Sequence, residues 1–285
     1  MLGSPTEDLA TPAVVVDLDV LERNIQRMAA RAREAGVRLR PHAKTHKSPA
    51  IASLQRSAGA SGLSLAKVGE AEVFADAGFA VELPRLPGHG TAVEDMIETG
   101  WDDWLTEAER SLTALQARVP DGKVVVAGLS MGGALTAALG EGHPELAGIV
   151  LINTPAAVPD EMATAVEEMM AGGMEVMDSI GGDIADPDAD EASYGETPLR
   201  PLLTMIMAGR DVRERLADIT QPTLIITSRQ DHVVNPDDSD VLAENISGPV
   251  ERVWLEKSFH VATLDYDRAE VEAAALAFAR RVTGS

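Results

Sequence analysis

The amino-acid sequence predicts an α/β fold in which helices cover both faces of a doubly wound, mostly parallel sheet. The first observation is a β-branched apolar run, residues 124–126, that breaks into a glycine-rich turn and becomes helix-forming up to Leu139. Two further apolar segments, residues 148–153 and 222–227, have the length of strands and are separated by helix-forming sequence. Continuous apolar strands that alternate with helices are typical of parallel sheets buried on both faces.

The composition of the 285-residue chain excludes several classes of function. A net charge of −22, from 46 acidic and 24 basic residues, disfavours binding to nucleic acid and to anionic lipid. The absence of cysteine excludes disulfides, thiolate nucleophiles and cysteine-ligated zinc. Glu7 and Asp8 stand where a signal peptide would be basic, and the apolar stretch at residues 124–140 is shorter than the roughly 20 residues that span a membrane. We therefore predict a globular, cytoplasmic protein without a membrane span.

The N-terminal part contains a basic cluster, RPHAKTHK at residues 40–47, after a predicted strand at residues 13–16 and a predicted helix at residues 19–35. From spacing alone, this cluster is a basic loop with solvated histidines. Together with TPAVVVDLDVLERNI and AKVGEAEVFADAG, however, it makes residues 11–78 resemble the opening of the D-threonine aldolase and D-serine dehydratase family. The resemblance implies an alanine-racemase-type start in which Lys44 corresponds to the lysine that forms a Schiff base with pyridoxal phosphate.

From residue 80 onwards the chain resembles a different family. The segments AGFAVELPRLPGHGT, WDDW, VVVAGLSMGG and SRQDHVVNP are similar to those of bacterial carboxylesterases and monoacylglycerol lipases, over about residues 77–282. The resemblance implies an α/β-hydrolase core at residues 80–285 with a helical lid at about residues 155–219. Residues 1–79 are a separate N-terminal βα segment, in place of the usual first strands. Within the core we also predict a strand at residues 81–83 and a helix from Gly100 to about residue 117.

A nucleophilic serine is predicted at Ser130, on the turn between the first core strand and its helix. Gly128 and Gly132 stand two residues before and two residues after it. This G-x-S-x-G spacing is typical of a tight strand-to-helix turn that exposes a serine hydroxyl at the edge of a sheet.

Two further residues complete the predicted catalytic triad. A serine hydroxyl needs an imidazole to accept its proton and an acid to orient that imidazole. Asp231 directly follows the strand at residues 222–227, and His260 follows a strand at residues 250–255 and precedes the last helix, at about residues 267–282. The chain order of serine, acid and histidine is that of α/β-hydrolases.

Other acids and histidines have structural interpretations. The competing acids lie in a segment where Asn235 and Pro236 indicate a turn or the start of a helix: Asp237, Asp238 and Asp240. Three histidines are interpreted as a neighbour of the acid, a helix end and part of the PGHG loop, respectively: His232, His143 and His89. Asp231 and His260 remain the favoured pair.

The oxyanion formed during ester cleavage needs two backbone donors. The N–H of Met131, the residue after the nucleophile, is the first. The His-Gly-aromatic loop that supplies the second in the resembled family is missing, but Gly59 and Gly62 match the spacing of its glycines. Our hypothesis is that the N–H of Ala60 is the second donor; the alternative is that the spacing is accidental.

The lid segment suggests the type of substrate. Methionine is an adaptable apolar side chain, and seven of the 11 methionines of the chain fall in this segment: Met162, Met169, Met170, Met174, Met177, Met205 and Met207. They indicate either an acyl-binding surface or packing of the lid helices on each other. Between them, residues 181–196 are acidic and glycine-containing, which is typical of a mobile loop.

The sequence therefore predicts a carboxylic ester hydrolase, similar to carboxylesterases or monoacylglycerol lipases, that acts on a small apolar ester without a metal or organic cofactor. Because the family's oxyanion loop is missing, a catalytically impaired protein of the same fold is the first alternative. A pyridoxal-phosphate-dependent D-amino-acid lyase that uses Lys44 is the second. The sequence contains no signal for an oligomeric state.

We predict that Lys44 binds no functional pyridoxal phosphate. The resemblance to the lyases ends near Phe79, whereas such a barrel takes about 250 residues. A lysine without partners for the phosphate and the ring gains little of the binding that the cofactor requires. The visible absorption spectrum, measured after addition of pyridoxal phosphate, should match that of Lys44→Ala. A stoichiometric chromophore that disappears in Lys44→Ala would contradict the prediction.

Overall fold

The computed structural model describes residues 18–34, 54, 57–58, 78–156, 158–189, 191 and 193–284. The chain divides into two compact units, residues 1–72 and residues 73–285. In the first unit, helix α1 spans Leu18–Glu34 and buries Ala29, close to the bounds predicted from the sequence. Lys44 and the strand predicted at residues 13–16 lie outside the described residues. The domain boundary predicted after residue 79 stays a prediction.

The second unit contains the sheet. Its described strands are β1 (Val125–Leu129), β2 (Gly148–Ile152), β3 (Val176–Asp178), β4 (Glu196–Pro198), β5 (Thr223–Ser228) and β6 (Val250–Leu255). Its described helices are α2 (Val93–Ile97), α3 (Trp101–Arg118), α4 (Met131–Gly142), α5 (Asp160–Ala171), α6 (Leu199–Arg215), α7 (Asp238–Asn245) and α8 (Arg268–Thr283), with a 3₁₀ turn at Leu216–Asp218.

Four of the strands form a parallel sheet in the order β1-β2-β5-β6. In this register Leu129 lies opposite Ile152, and Ile152 lies opposite Ile226. The carboxyl ends of the strands therefore share one edge, which is where ligands bind in open α/β sheets. The prediction of a mostly parallel α/β sheet is confirmed.

The core lies on both faces of this sheet because side chains alternate along each strand. On one face, Ile149, Leu151 and Ile225 belong to a buried cluster with residues of α3, α4 and α7. On the other face, Val150 and its neighbours pack with Phe278 and other residues of α8. Each fully buried aliphatic side chain of this kind contributes about 1.5–3 kcal/mol. The two clusters hold the strands, and hence their carboxyl ends, in fixed positions.

The predicted lid is an insertion between β2 and β5. It contains α5, an antiparallel hairpin of β3 and β4 in which Met177 lies opposite Thr197, and α6. Ala163 and Val166 of α5 pack against Leu199 and Ile206 of α6. The insertion therefore has a small apolar core of its own.

The lid methionines divide into a packed group and an exposed group. Met169, Met170 and Met177 pack against the lid core, and Met205 packs against the cluster around Trp101 and Trp104. The other three are exposed at their side chains: Met162, Met174 and Met207. Packing explains the first group, and the second group leaves apolar surface in contact with solvent.

The strand predicted at residues 81–83 is wrong. These residues are described and form no strand, and Leu83 is exposed. The guanidinium of Arg118 donates to the carbonyl of Val81 and to the carboxylate of Glu82. Val81 is the only β-branched residue of this short segment, and no described strand pairs with it. Its carbonyl accepts instead from a side chain at the end of α3.

Among the described residues, no helix is long and apolar enough to cross a membrane. The longest apolar run of the sequence forms β1 and α4, which the glycine-rich turn separates.

We predict that Glu141, in the last turn of α4, makes stability depend on pH. Its side chain is 3% exposed and lies 3.6 Å from Arg215, and its Oε1 has no hydrogen-bond partner among the described residues. Burial raises the pKa of Glu141 from its ordinary value of 4.5 to about 7, and Arg215 offsets this only in part. The folded protein therefore binds this proton more tightly than the unfolded chain, and its free energy of unfolding falls as the pH rises from about 4.5 to 7.

Glu141→Gln cannot titrate, so its stability relative to the unmodified protein should rise by about 1–3 kcal/mol between pH 5 and pH 8. Urea unfolding at the two pH values measures the difference, with Glu161→Gln on the exposed side of α5 as the control. A difference that does not change with pH would contradict the prediction.

Candidate active site

Ser130 occupies a strained turn between β1 and α4. Its φ of 55° and ψ of −119° lie in a region that residues other than glycine rarely adopt. The N–H of Ser130 donates to the carbonyl of Ile152 (2.8 Å), and its own carbonyl accepts from the N–H of Ala134 (3.0 Å). The turn is thus anchored to β2 on one side and to the first turn of α4 on the other.

Two glycines are closely packed at this turn, and only one of them, Gly128, belongs to the G-x-S-x-G motif. A Cβ at Gly128 would lie 2.0 Å from the carbonyl oxygen of Gly132, and a Cβ at Gly133 would lie 1.9 Å from Oγ1 of Thr154. A Cβ at Gly132 would meet no described atom within 4 Å apart from its chain neighbours and the backbone of its own helix. Close approach of the backbone therefore requires glycine at positions 128 and 133.

Asp231 lies on the loop after β5 with both carboxylate oxygens in use. Its Oδ1 accepts from the N–H groups of Val233 and Val234, each at 2.8 Å. Its Oδ2 lies 2.8 Å from Nδ1 of His260. The side chains of Asp231 and His260 are 1% and 7% exposed, respectively. Because the two backbone donors fix the carboxylate, the histidine ring is oriented by a rigid partner.

The loop that holds His260 has its backbone amides tied to carboxylates. Asp267 accepts from the N–H groups of Lys257 (2.8 Å) and Ser258 (2.9 Å). Asp265 accepts from the N–H of Phe259 (2.8 Å), and Asp183 accepts from the N–H of His260 (3.1 Å). Burial opposes ionisation of Asp267, but its backbone donors outweigh that effect and lower its pKa.

Asn153, directly after β2, joins the loop of His260 to the end of β5. Its Nδ2 donates to the carbonyl of His260 (2.6 Å), and its Oδ1 accepts from the N–H of Ser228 at the end of β5 (2.8 Å). Its φ of 43° lies in the left-handed region, which asparagine tolerates better than most residues. The amide side chain therefore sets the distance between the His260 loop and the sheet.

The competing acids lie at the start of α7 or pair with other groups, as their position in the sequence indicated. Asp237 is the N-cap of α7, and Asp240 pairs with Arg252 at 2.7 Å. Asp238 is buried and accepts from the N–H of Ala156 (2.8 Å).

The competing histidines are also engaged elsewhere. His143 bridges Glu109 and Glu145 at 2.7 and 2.8 Å; burial opposes its protonation, but the two carboxylates outweigh burial and raise its pKa. His89 packs edge-on against Trp104, and burial lowers its pKa. The Nδ1 of His232 lies 2.9 Å from Asp183.

The residues predicted to be catalytic follow β1, β5 and β6, and so lie along one edge of the sheet. Asp231 and His260 are in direct contact, and Ser130 is joined to β2 through Ile152. Met131 is the first residue of α4. Ala60 lies outside the described residues, so the second oxyanion donor stays a prediction.

Sequence reasoning missed the residues that support this edge: Asn153, Asp183, Asp265 and Asp267. Asn153 could have been noticed as a polar residue directly after a buried strand. Asp265 and Asp267 follow His260 closely, but nothing in their spacing indicates that they accept from its loop. Asp183 has no local signal, because its partners lie 49 and 77 residues away.

The parallel sheet with its strained serine turn and its buried aspartate–histidine pair defines the class of protein. A model of the alpha/beta hydrolase family matches residues 59–274, and the chain belongs to this family. The matched range begins inside the segment in which the second oxyanion donor is predicted.

Individual relatives agree with the family. A thermostable monoacylglycerol lipase from Bacillus sp. (strain H-257) is 41% identical over 218 residues, which cover 75% of this chain and 84% of that protein. A solved structure from work on LipS and LipT, two metagenome-derived lipolytic enzymes, is 35% identical, covers 75% of this chain and 86% of that one, and has a TM-score of 0.71.

The first part of the chain has a separate relative. D-threo-3-hydroxyaspartate dehydratase from Delftia sp. (strain HT23) is 56% identical over 70 residues, 25% of this chain. The match spans only 18% of the dehydratase. It agrees with the resemblance found in residues 11–78.

We predict opposite effects of alanine at the two glycines of the motif. Gly128→Ala should lower the free energy of unfolding by about 2 kcal/mol or more, because its Cβ would overlap the Gly132 carbonyl. Gly132→Ala should leave stability unchanged or raise it by up to about 1 kcal/mol, because alanine is the better helix former and meets no described atom. Urea unfolding of the two variants measures both effects. Equal destabilisation would contradict this description of the turn.

Proposed function

We propose that the protein is a serine hydrolase that cleaves carboxylic esters of small apolar molecules. Ser130 is the nucleophile, His260 the general base and then the general acid, and Asp231 the residue that orients His260. The steps need no metal or organic cofactor.

In the first half of the reaction, the hydroxyl of Ser130 attacks the acyl carbon while Nε2 of His260 accepts the hydroxyl proton. The same proton then passes to the departing alcohol, which leaves an acyl-serine. In the second half, His260 accepts a proton from water, the resulting hydroxide attacks the acyl-serine, and the proton returns to Ser130. Asp231 stabilises the imidazolium that forms in each half.

The N–H of Met131 is the proposed donor to the negatively charged oxygen of each tetrahedral intermediate. It is one of the first amides of α4, which have no carbonyl partner inside the helix. A donor fixed in this way needs no reorganisation as charge develops on the oxygen.

The observation that supports this function most strongly is the buried 2.8 Å contact between Asp231 and Nδ1 of His260. With Nδ1 occupied by a carboxylate, Nε2 is the nitrogen left to accept a proton. The positive φ of Ser130 adds independent support, because such strain persists mostly at functional sites.

The apolar substrate is supported by the lid. Met162, Met174 and Met207 are exposed there, and adaptable side chains suit a flexible acyl group. The Bacillus relative is named a monoacylglycerol lipase. We therefore propose monoacylglycerols and simple carboxylic esters as the first substrates to test.

We predict that Ser130→Ala and His260→Ala each lower kcat by about 10⁴-fold or more, because the three residues act as one unit. Asp231→Asn should cost about 10⁴-fold, since the amide favours the wrong tautomer of His260. Initial rates with a p-nitrophenyl ester and a monoacylglycerol measure these losses.

His143→Gln and Asp237→Asn are the matched controls for this experiment, since His143 pairs with Glu109 and Asp237 lies at the N-cap of α7. Both should remain within about threefold of the unmodified protein. Activity that survives Ser130→Ala would contradict the proposed function.

A catalytically impaired hydrolase is the second candidate, favoured by the missing oxyanion loop in the sequence. Loss of one oxyanion donor costs about 10²- to 10³-fold in rate. A fluorophosphonate probe separates the two candidates: stoichiometric labelling of Ser130 with slow ester turnover indicates the impaired protein, and labelling with rapid turnover indicates the efficient enzyme.

A further inference from the structure

Asp183 connects the lid insertion to both loops of the proposed acid–base pair. Its Oδ2 accepts from the N–H of His260 (3.1 Å) and from the N–H of His232 (3.2 Å). Its Oδ1 lies 2.9 Å from Nδ1 of His232. Its carbonyl accepts from the N–H of Val261 (3.1 Å). One lid residue therefore makes four hydrogen bonds to the two loops.

These bonds distinguish Asp183 from the other carboxylates around the site. Asp265 and Asp267 come from the chain directly after His260. Asp267 holds the His260 loop, and Asp265 holds that loop and the lid segment, but no described hydrogen bond joins either carboxylate to the loop of Asp231. Asp183 also holds the neighbour of Asp231, because His232 directly follows that residue. It is thus placed to fix the two loops relative to one another.

The surroundings of Asp183 strengthen these bonds. Its side chain is 19% exposed, so water competes for it only in part. Burial opposes ionisation, but hydrogen bonds from His232 and His260 outweigh it and lower the pKa of Asp183. Hydrogen bonds to an ionised acceptor are about twice as strong as those between neutral groups.

The segment around Asp183 is held in place as well. The N–H groups of Ala185 and Asp186 donate to Asp265 at 2.8 and 3.0 Å. The hydroxyl of Tyr194 donates to the carbonyl of Gly88 (2.8 Å). The described part of residues 181–196, which the sequence predicted to be mobile, is therefore tied to the core at both ends.

We propose that Asp183 is a positioning residue, which aligns His260 with Asp231 from the lid. The inference rests on the function proposed above. The alignment of the pair is then coupled to the position of the lid segment, because a residue of that segment contacts both loops. A displacement of about 1 Å at a catalytic group can cost about 10²-fold in rate, so loss of Asp183 affects chemistry more than binding.

Asp183→Ala should lower kcat by about 10- to 100-fold and change KM by less than about threefold. Asp183→Asn should stay within about fivefold of the unmodified protein. Its amide oxygen can accept from both N–H groups, and its NH₂ group can donate to Nδ1 of His232. Asp188→Ala removes the same charge from an exposed position in the same segment and is the control, with unchanged kcat. If Asp183→Asn is as slow as Asp183→Ala, charge and not hydrogen bonding is responsible, and the proposal is wrong.

Labelling of Ser130 by a fluorophosphonate probe separates positioning from folding. Full stoichiometry reached at a rate lowered in parallel with kcat/KM supports the proposal. A reduced labelled fraction that reacts at the unmodified rate means that Asp183 serves folding only, and an unchanged rate at full stoichiometry means that it does not position the pair. Either result overturns the proposal.

Two further outcomes are distinguishable. If Asp183→Ala does not fold, Asp183→Glu decides: its carboxylate is displaced by one methylene group and should lower kcat at least about tenfold, whereas an unchanged kcat overturns the proposal. An unmodified protein that neither turns over ester nor is labelled at Ser130 contradicts the proposed function itself.

Discussion

The backbone amides of the loops at the carboxyl edge of the sheet need hydrogen-bond acceptors. The structure of this edge depends on which groups supply those acceptors. Parallel strands use their amides in the ladder, but the loops after β5 and β6 turn away from it while they stay partly buried. An unpaired buried amide is costly. Here carboxylates supply the acceptors: Asp231 for its own loop, and Asp265 and Asp267 for the loop of His260. The proposed acid–base pair is therefore part of the network that allows these loops to exist.

The same edge also concentrates backbone strain. Ser130 and Asn153 both have positive φ and follow adjacent parallel strands. The strain at Ser130 is held by close contact between Gly128 and Gly132 and between Gly133 and Thr154. Such contacts leave little freedom for the turn, so the serine hydroxyl is presented by the backbone rather than by a mobile side chain. Asn153 combines both features, because its φ is positive and its side-chain amide donates to the carbonyl of His260.

Some of the acidic residues stabilise loops of the structure. From the sequence, a net charge of −22 indicated only which partners the protein would repel. In the structure, several of these acids accept backbone amides, and Asp183 links the lid insertion to the core. The loop around Asp183 was expected to be mobile because it is acidic and contains glycine. Local composition carries no information about hydrogen-bond donors that are distant in the chain. The donors to Asp183 come from such distant loops.

Features that depend on short-range pattern could be predicted from the amino-acid sequence. The strand, turn and helix around Ser130 and the later strands that precede Asp231 and His260 follow from local apolar spacing. The insertion between β2 and β5 followed from the resemblance to α/β-hydrolases. Only the tertiary structure decided that residues 81–83 form no strand, that Gly133 and not Gly132 is crowded, and that Asp183 contacts the loop of His260. These outcomes depend on atoms that are far apart in the chain, and such contacts leave no periodic signal in the residues that make them.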